Sequence, residues 1–425
     1  MIILNQAFLP ANILLPKNVD YEKWAVIACD QYTSEPEYWH NTEEIVGEAP
    51  STLKLILPEI YLSDKNVSDK INGINSTMAQ YLNDGIFEEY KNSYFYIERI
   101  QSDGKLRQGI VGMIDLEQYD YSQGSSSPVR TTEATVLERI PPRVKVRENA
   151  CVELAHIMVL IDDDQHSVIE PLAYNKEYMT LLYDTKLMQG GGSVKGYLVD
   201  EKQTNRIMGA LSLLGDKENF ERKYGIKGVS PLVFAMGDGN HSLATAKAFY
   251  ESLKAKNPDK DLSGHPARYA LAEIVNLHSD ALQFEAIHRI ITNTDTEDLI
   301  TKMTEALGLI ESPTDDNMQS FKCVKDDNEK TYFISSPTSN LTVGSLQTFF
   351  DSYLKNSNAK IDYIHGADTV RRLAKGNGNI GFILPDMSKS ELFPTVIKDG
   401  VLPRKTFSMG HAADKRYYIE CRKIK

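Results

Sequence analysis

Cysteine is scarce: four residues in 425, Cys29, Cys151, Cys323 and Cys421, far apart and without a Cys-x-x-Cys pair or a Cys/His cluster. This argues against a disulfide framework and against structural zinc. Long apolar runs are missing too. The N-terminal stretch 1–15 is broken by Asn5, Pro10 and Asn12 and has no basic region ahead of it, so neither a transmembrane span nor a signal peptide is expected. No long Lys/Arg run occurs, and 47 basic against 59 acidic residues give a net charge of −12, a repulsive average field for duplex nucleic acid. A nucleic-acid partner is disfavoured, although a local basic patch can still hold a small anion. The expected compartment is the cytoplasm. No repeat of fixed period stands out.

The remaining composition, 41% hydrophobic and 25% charged, is that of a chain that folds around a sizeable core. The length suggests about two or three domains. We expect a core in residues 1–260 and a C-terminal α/β portion in residues 261–425. Breaker clusters mark seams at 120–128, 189–193, 257–266 and 312–317. Residues 94–100 and 108–114 read as a hairpin around Ser102-Asp-Gly104. Residues 154–161 and 167–172 read as a second strand pair, with 162–166 as its turn. That turn lacks the Gly and terminal Glu of a calcium loop. Residues 270–277 and 284–291 read as a third pair. Hairpin-joined strands interleaved with helices indicate a mixed α/β (α+β) sheet rather than an all-parallel array.

The sharpest local signal is the apolar run Ser230-Pro-Leu-Val-Phe-Ala-Met236, followed by Gly237-Asp-Gly-Asn-His-Ser242. Beyond it, Leu243, Ala246, Phe249, Tyr250 and Leu253 fall on one helical face. This is a strand, a tight loop and a helix. Gly237 and Gly239 allow close backbone approach, and free amides at a helix start seat a phosphate or carboxylate. Asp238 is a candidate metal ligand or base, His241 a candidate catalytic group, and Asn240 and Ser242 candidate donors to an anion. The competing reading makes Asn240 or Ser242 a plain helix cap. Neither the third glycine of a dinucleotide fingerprint nor a Walker Gly-Lys-Ser/Thr is present.

Three other segments offer charged groups. In Pro141-Pro-Arg-Val-Lys-Val-Arg147 an extended strand would align Arg143, Lys145 and Arg147 on one face, about 6.5–7 Å apart, as a phosphate cradle or a solvated edge. Asp30 follows the buried run 24–28 at a strand exit and is a candidate catalytic carboxylate, beside Gln31 and Glu35. Alternatively Ser34 caps a helix there, with Pro36 in its first turn and Trp39 in the core. Near the C-terminus Lys405, Ser408 and His411 form a looser cationic and hydroxyl set.

Together, Asp30-Gln-Tyr-Thr-Ser-Glu-Pro-Glu-Tyr-Trp39, Arg143-Val-Lys-Val-Arg-Glu-Asn149, Gly237-Asp-Gly-Asn-His-Ser-Leu-Ala-Thr-Ala246, Ile287-His-Arg289 and Leu402-Pro-Arg-Lys-Thr-Phe-Ser408 resemble the DUF1015 family of bacterial and archaeal proteins over nearly the whole chain. The 237–242 loop is more distantly similar to the Asp-Gly-His-His-Arg loop of the ParB/sulfiredoxin superfamily, to which free-serine kinases belong. That likeness implies a ParB/sulfiredoxin-like mixed-sheet core with large insertions, and nucleotide phosphates held by Asp238, Gly239, Asn240, His241 and Ser242. Here Asn240 replaces the first His and Ser242 the Arg. The lost guanidinium would have to be replaced by Arg143, Lys145, Arg147, Arg289 or Lys405. The resemblance further implies a phosphotransferase (kinase-like) or phosphohydrolase acting on a phosphorylated small molecule, with serine or phosphoserine as ligand, ATP, ADP or pyrophosphate as phosphate source, and Mg2+ at Asp238. A non-catalytic nucleotide or phosphometabolite sensor is the alternative, and a ParB-like DNA binder the third reading.

Overall fold

The computed structural model describes residues 6–135 and 137–425, so residues 1–5 of the N-terminal stretch lie outside it. The chain forms two compact units: Met1–Leu282 with His411–Lys425, and Gln283–Gly410 inserted between them in sequence. The architecture is mixed α/β, as the sequence indicates.

A mixed sheet organises the first unit. Its strands are β1 (Phe8–Leu9), β2 (Phe95–Ile100), β3 (Leu106–Asp115), β4 (Tyr119–Asp120), β5 (Val129–Arg130), β6 (Ile157–Ile161), β7 (Thr180–Lys186), β8 (Ser193–Leu198), β9 (Phe234–Asp238) and β10 (Tyr269–Asn276). Their order is β7-β8-β2-β3-β10-β6-β9-β5-β4, with β1 also pairing β3. Antiparallel β2 and β3 confirm the hairpin around Ser102-Asp-Gly104. β6 runs parallel to β10 and antiparallel to β9. All five residues of β6 are buried, as expected of a central strand covered on both faces. Gly109 on β3 leaves room for a buried carboxylate, since a Cβ there would stand 2.2 Å from Glu273 Oε1 on β10.

Four expectations need correction. Residues 167–172 are not a strand: the Asp163 carboxylate accepts from the amides of Ser167 and Val168, turning the chain into the 3-10 stretch Glu170–Tyr178. The strands at 269–276 and 284–292 both exist but do not pair. β10 lies between β3 and β6, whereas Phe284–Thr292 belongs to the second unit. That placement also moves the division of the chain from 260/261 to 282/283 and 410/411. Finally, residues 140–148 form helix α1 (Ile140–Glu148), not an extended strand. Pro141 and Pro142 fit a first helical turn, where no amide donor is needed. Helical spacing then spreads Arg143, Lys145 and Arg147 instead of aligning them.

The C-terminal residues return to the first unit. Tyr417–Tyr418 pairs with Val26–Ile27, and Cys421–Lys423 lies between Ala11–Pro16 and Val152–Leu154. Trp24, fully buried, donates its indole N–H to the Ile419 carbonyl. The second unit has its own antiparallel sheet, in which Phe284–Thr292 is flanked by Lys360–His365 and Ile380–Ile383. Ser320–Lys325 and Asn328–Ile334 continue it. Among the described residues no helix is long and apolar enough to cross a membrane.

Candidate functional site

Strand β9 ends at Asp238, and one residue later helix α2 (Asn240–Lys256) begins, the strand, loop and helix anticipated from the sequence. Leu243, Ala246, Phe249 and Tyr250 anchor the helix in the core. Gly239 joins the two elements at φ 78°, a left-handed conformation that favours glycine, and a Cβ there would stand 3.2 Å from Ile157 Cα and 3.4 Å from His156 Cδ2. Glycine thus brings the helix start against the beginning of β6.

The helix carries no side-chain cap. Its N-cap is Gly239, and the Asn240 Oδ1 atom instead lies 2.7 Å from the Thr131 hydroxyl. The first helical hydrogen bond runs from the Leu243 amide to the Gly239 carbonyl, so the helix supplies no acceptor for the amides of Asn240, His241 and Ser242. The plain-cap reading therefore fails, and the positive end of a 17-residue helix stands beside the loop.

Around this turn the fold assembles charged groups. Asp30 sits in the turn after Val26–Ile27, where the Gln31 amide donates to the Ala28 carbonyl. Its Oδ1 accepts from the Gln31 side chain at 2.9 Å, and its Oδ2 lies 3.4 Å from His156 Nε2. His156, buried just before β6, places Nδ1 2.7 Å from the Tyr418 hydroxyl, which also accepts from the Cys29 amide at 3.2 Å. Lys415 Nζ lies 3.7 Å from Asp238 Oδ2, an oxygen with no hydrogen-bond donor among the described residues.

Burial alone would discharge both members of the Asp30–His156 pair, but their mutual attraction prevails. Asp30 is held below the usual carboxylate range by the His156 imidazolium and, more weakly, by Gln31 and Lys415. His156 is raised well above the ordinary imidazole value by Asp30. The site thus contains a fixed ion pair beside a lysine and a second carboxylate.

Asp30, Asp238, Gly239, Asn240, His241 and Ser242 come from the sequence reading, with Gly237 inside β9. His156, Lys415 and Tyr418 do not, because their local sequence carries no loop or glycine signal. Of the other candidates, Arg143 and Arg147 are engaged elsewhere. Arg143 pairs with Glu59, and Arg147 pairs with Glu153 and lies over the Phe249 ring, well along α2 from its start. Lys145 is exposed. Arg289 and Lys405 belong to the second unit, where fully buried Arg289 donates to the carbonyls of Ile287, Arg404 and Lys405.

No curated protein matches this sequence. Among solved structures, a free serine kinase mutant in complex with AMP is similar at 12% identity and a TM-score of 0.40, covering 73% of this chain and 91% of that one. A conserved hypothetical protein from Pyrococcus furiosus is similar at 10% identity and TM-score 0.36, covering 72% and 92%. SbnI with a C-terminal truncation, from Staphylococcus aureus, is similar at 8% identity and TM-score 0.37, covering 71% and 82%. The model of the family described as protein of unknown function DUF1015 matches residues 13–357, most of the chain, and the chain belongs to that family.

Proposed function

We propose that the Asp238 loop binds a phosphorylated small molecule or nucleotide and that the protein transfers a phosphoryl group to or from a hydroxyl such as that of serine. The observation that carries this reading is the meeting of an uncapped helix start with Lys415, 3.7 Å from Asp238. Amides at a helix N-terminus and an ammonium group together neutralise phosphate oxygens. Lys415 thereby supplies the cation that Ser242, standing where related loops have arginine, does not.

Phosphoryl transfer asks mainly for positioning and charge stabilisation. Asp30, kept ionised by His156, accepts a hydrogen bond from the attacking hydroxyl and takes its proton as the new O–P bond forms. The P–O bond to the donor breaks, and the leaving oxygen keeps the electron pair. Because its pKa is held low, Asp30 orients the nucleophile rather than ionising it beforehand. ATP, ADP or pyrophosphate would serve as donor.

Asp238 would be the carboxylate that holds Mg2+, although among the described residues no set of three His, Cys, Asp or Glu could hold a metal. An ion there would share its shell with phosphate oxygens and water, the usual pattern for magnesium, and would further neutralise phosphate charge.

Phosphoserine formation from serine and each donor, followed by 31P NMR, tests the reading. Asp30→Asn is expected to lower turnover by about 10²–10⁴-fold while binding persists. Undiminished turnover in Asp30→Asn or Asp238→Asn overturns the catalytic assignment. Saturable binding by wild-type protein without turnover turns the reading into that of a sensor.

A further inference from the structure

Lys415 and Tyr418 reach the site on the C-terminal segment 411–418, which is held by side chains that include buried Arg99 and Arg107, the latter also within reach of the Asp238 charge. Arg99 donates to the carbonyls of Ala413 and Lys415 at 2.7 Å each, and to that of Gly191 at 2.8 Å. Arg107 donates to the Asp414 carbonyl at 2.6 Å. The Asp414 carboxylate accepts from the amide and hydroxyl of Ser102 at 2.9 and 2.8 Å. Arg416, paired with Glu273 and Glu420, donates to the Ala155 carbonyl, next to His156. Both Arg99 and Arg107 are 2% exposed.

Burying several guanidinium groups is a poor route to stability alone, since well-packed apolar residues often serve as well. A guanidinium is, however, a rigid fork that fixes the direction of the carbonyls it binds. Carbonyls 413 and 415 are held by the Arg99 fork and carbonyl 414 by one N–H of Arg107, immediately before and at the residue whose ammonium group faces Asp238. We infer that Arg99 and Arg107 are positioning residues of the anion site, fixing the 413–415 backbone so that Lys415 stands beside Asp238 and Tyr418 beside His156. This rests on the reading of the Asp238 loop as an anion site.

A double-mutant cycle on pyrophosphate affinity, measured by calorimetry, tests it. Arg107→Lys keeps a buried cation but loses the planar N–H aimed at the Asp414 carbonyl. This variant and Lys415→Met are each expected to weaken binding about tenfold, and the double variant to be no weaker than Lys415→Met alone. Losses that multiply in the double variant overturn the inference, because Arg107 would then act independently of Lys415. If Arg107→Lys does not fold, Ser102→Ala takes its place in the cycle, with an expected loss of about threefold. Should the wild type bind neither pyrophosphate, AMP nor phosphoserine, the anion reading fails, while the positioning role is still decided by the ring resonances of His156. Arg107→Lys is expected to shift them as Tyr418→Phe does, and unchanged resonances overturn it.

Discussion

The two ends of strand β6 both gather acidic and imidazole groups, yet they are built differently. At its C-terminal end Asp162 accepts from the Tyr224 hydroxyl on one oxygen, and its other lies 2.7 Å from His278 Nε2. Asp163, 1% exposed, is taken up by the Ser167 and Val168 amides and the Ser167 hydroxyl. These carboxylates fasten a loop. At the N-terminal end Asp238 Oδ2 has no hydrogen-bond donor among the described residues, and the hydrogen-bond ladder of α2 starts at the Leu243 amide. Density of charge does not separate the two ends; the Asp238 oxygen that no described donor reaches does.

The largest effect expected from this contrast is on stability at the fastened end. Asp163→Ala leaves two amides and a hydroxyl of the Ser167–Val168 turn without their acceptor and should cost about 2–4 kcal/mol in denaturant unfolding. Pyrophosphate affinity should stay within about twofold, whereas a parallel loss of affinity would dissolve the distinction between the ends.

A smaller, pH-dependent effect belongs to the Asp30–His156 pair. The raised His156 contributes stability fully below the unfolded imidazole pKa of about 6.5, and this is lost as pH rises through its higher folded value. The lowered Asp30 contributes above the unfolded carboxylate pKa of about 3.9, and this is lost as pH falls through its lower folded value. The stability difference between wild type and Asp30→Asn should therefore be largest between about pH 4 and 6.5 and shrink in the alkaline range. A difference that keeps growing above about pH 7 would show that the pair is not ionised as described.

The smallest effect is a predicted null. Lys145 is exposed on α1, so Lys145→Ala should change stability by less than about 0.5 kcal/mol and leave anion affinity unaltered.

Which parts could be read from sequence follows from how local their causes are. The β9-loop-α2 unit was legible because an apolar run, two glycines and a helical stripe lie within one short stretch. Asp30 was legible because a buried run ends in polar residues. Residues 143–147 misled because Val144 and Val146 alternate with charges like a strand, while the decisive signal was Pro141-Pro142 opening a helix. His156, Lys415 and Tyr418 were hidden for a different reason. Their roles depend on residues up to 389 positions apart, such as the Cys29 amide and the Tyr418 hydroxyl, and on a chain that returns to the first unit only after the inserted second one. Nothing in a local window reports such a return.

The central claim is that the start of α2 grips a phosphate. Titrating 15N-labelled protein with pyrophosphate while following the backbone amides tests it most directly. Saturable shifts concentrated at Asn240, His241 and Ser242, weakened in Lys415→Met, are predicted; unmoved amides at these three positions would contradict it.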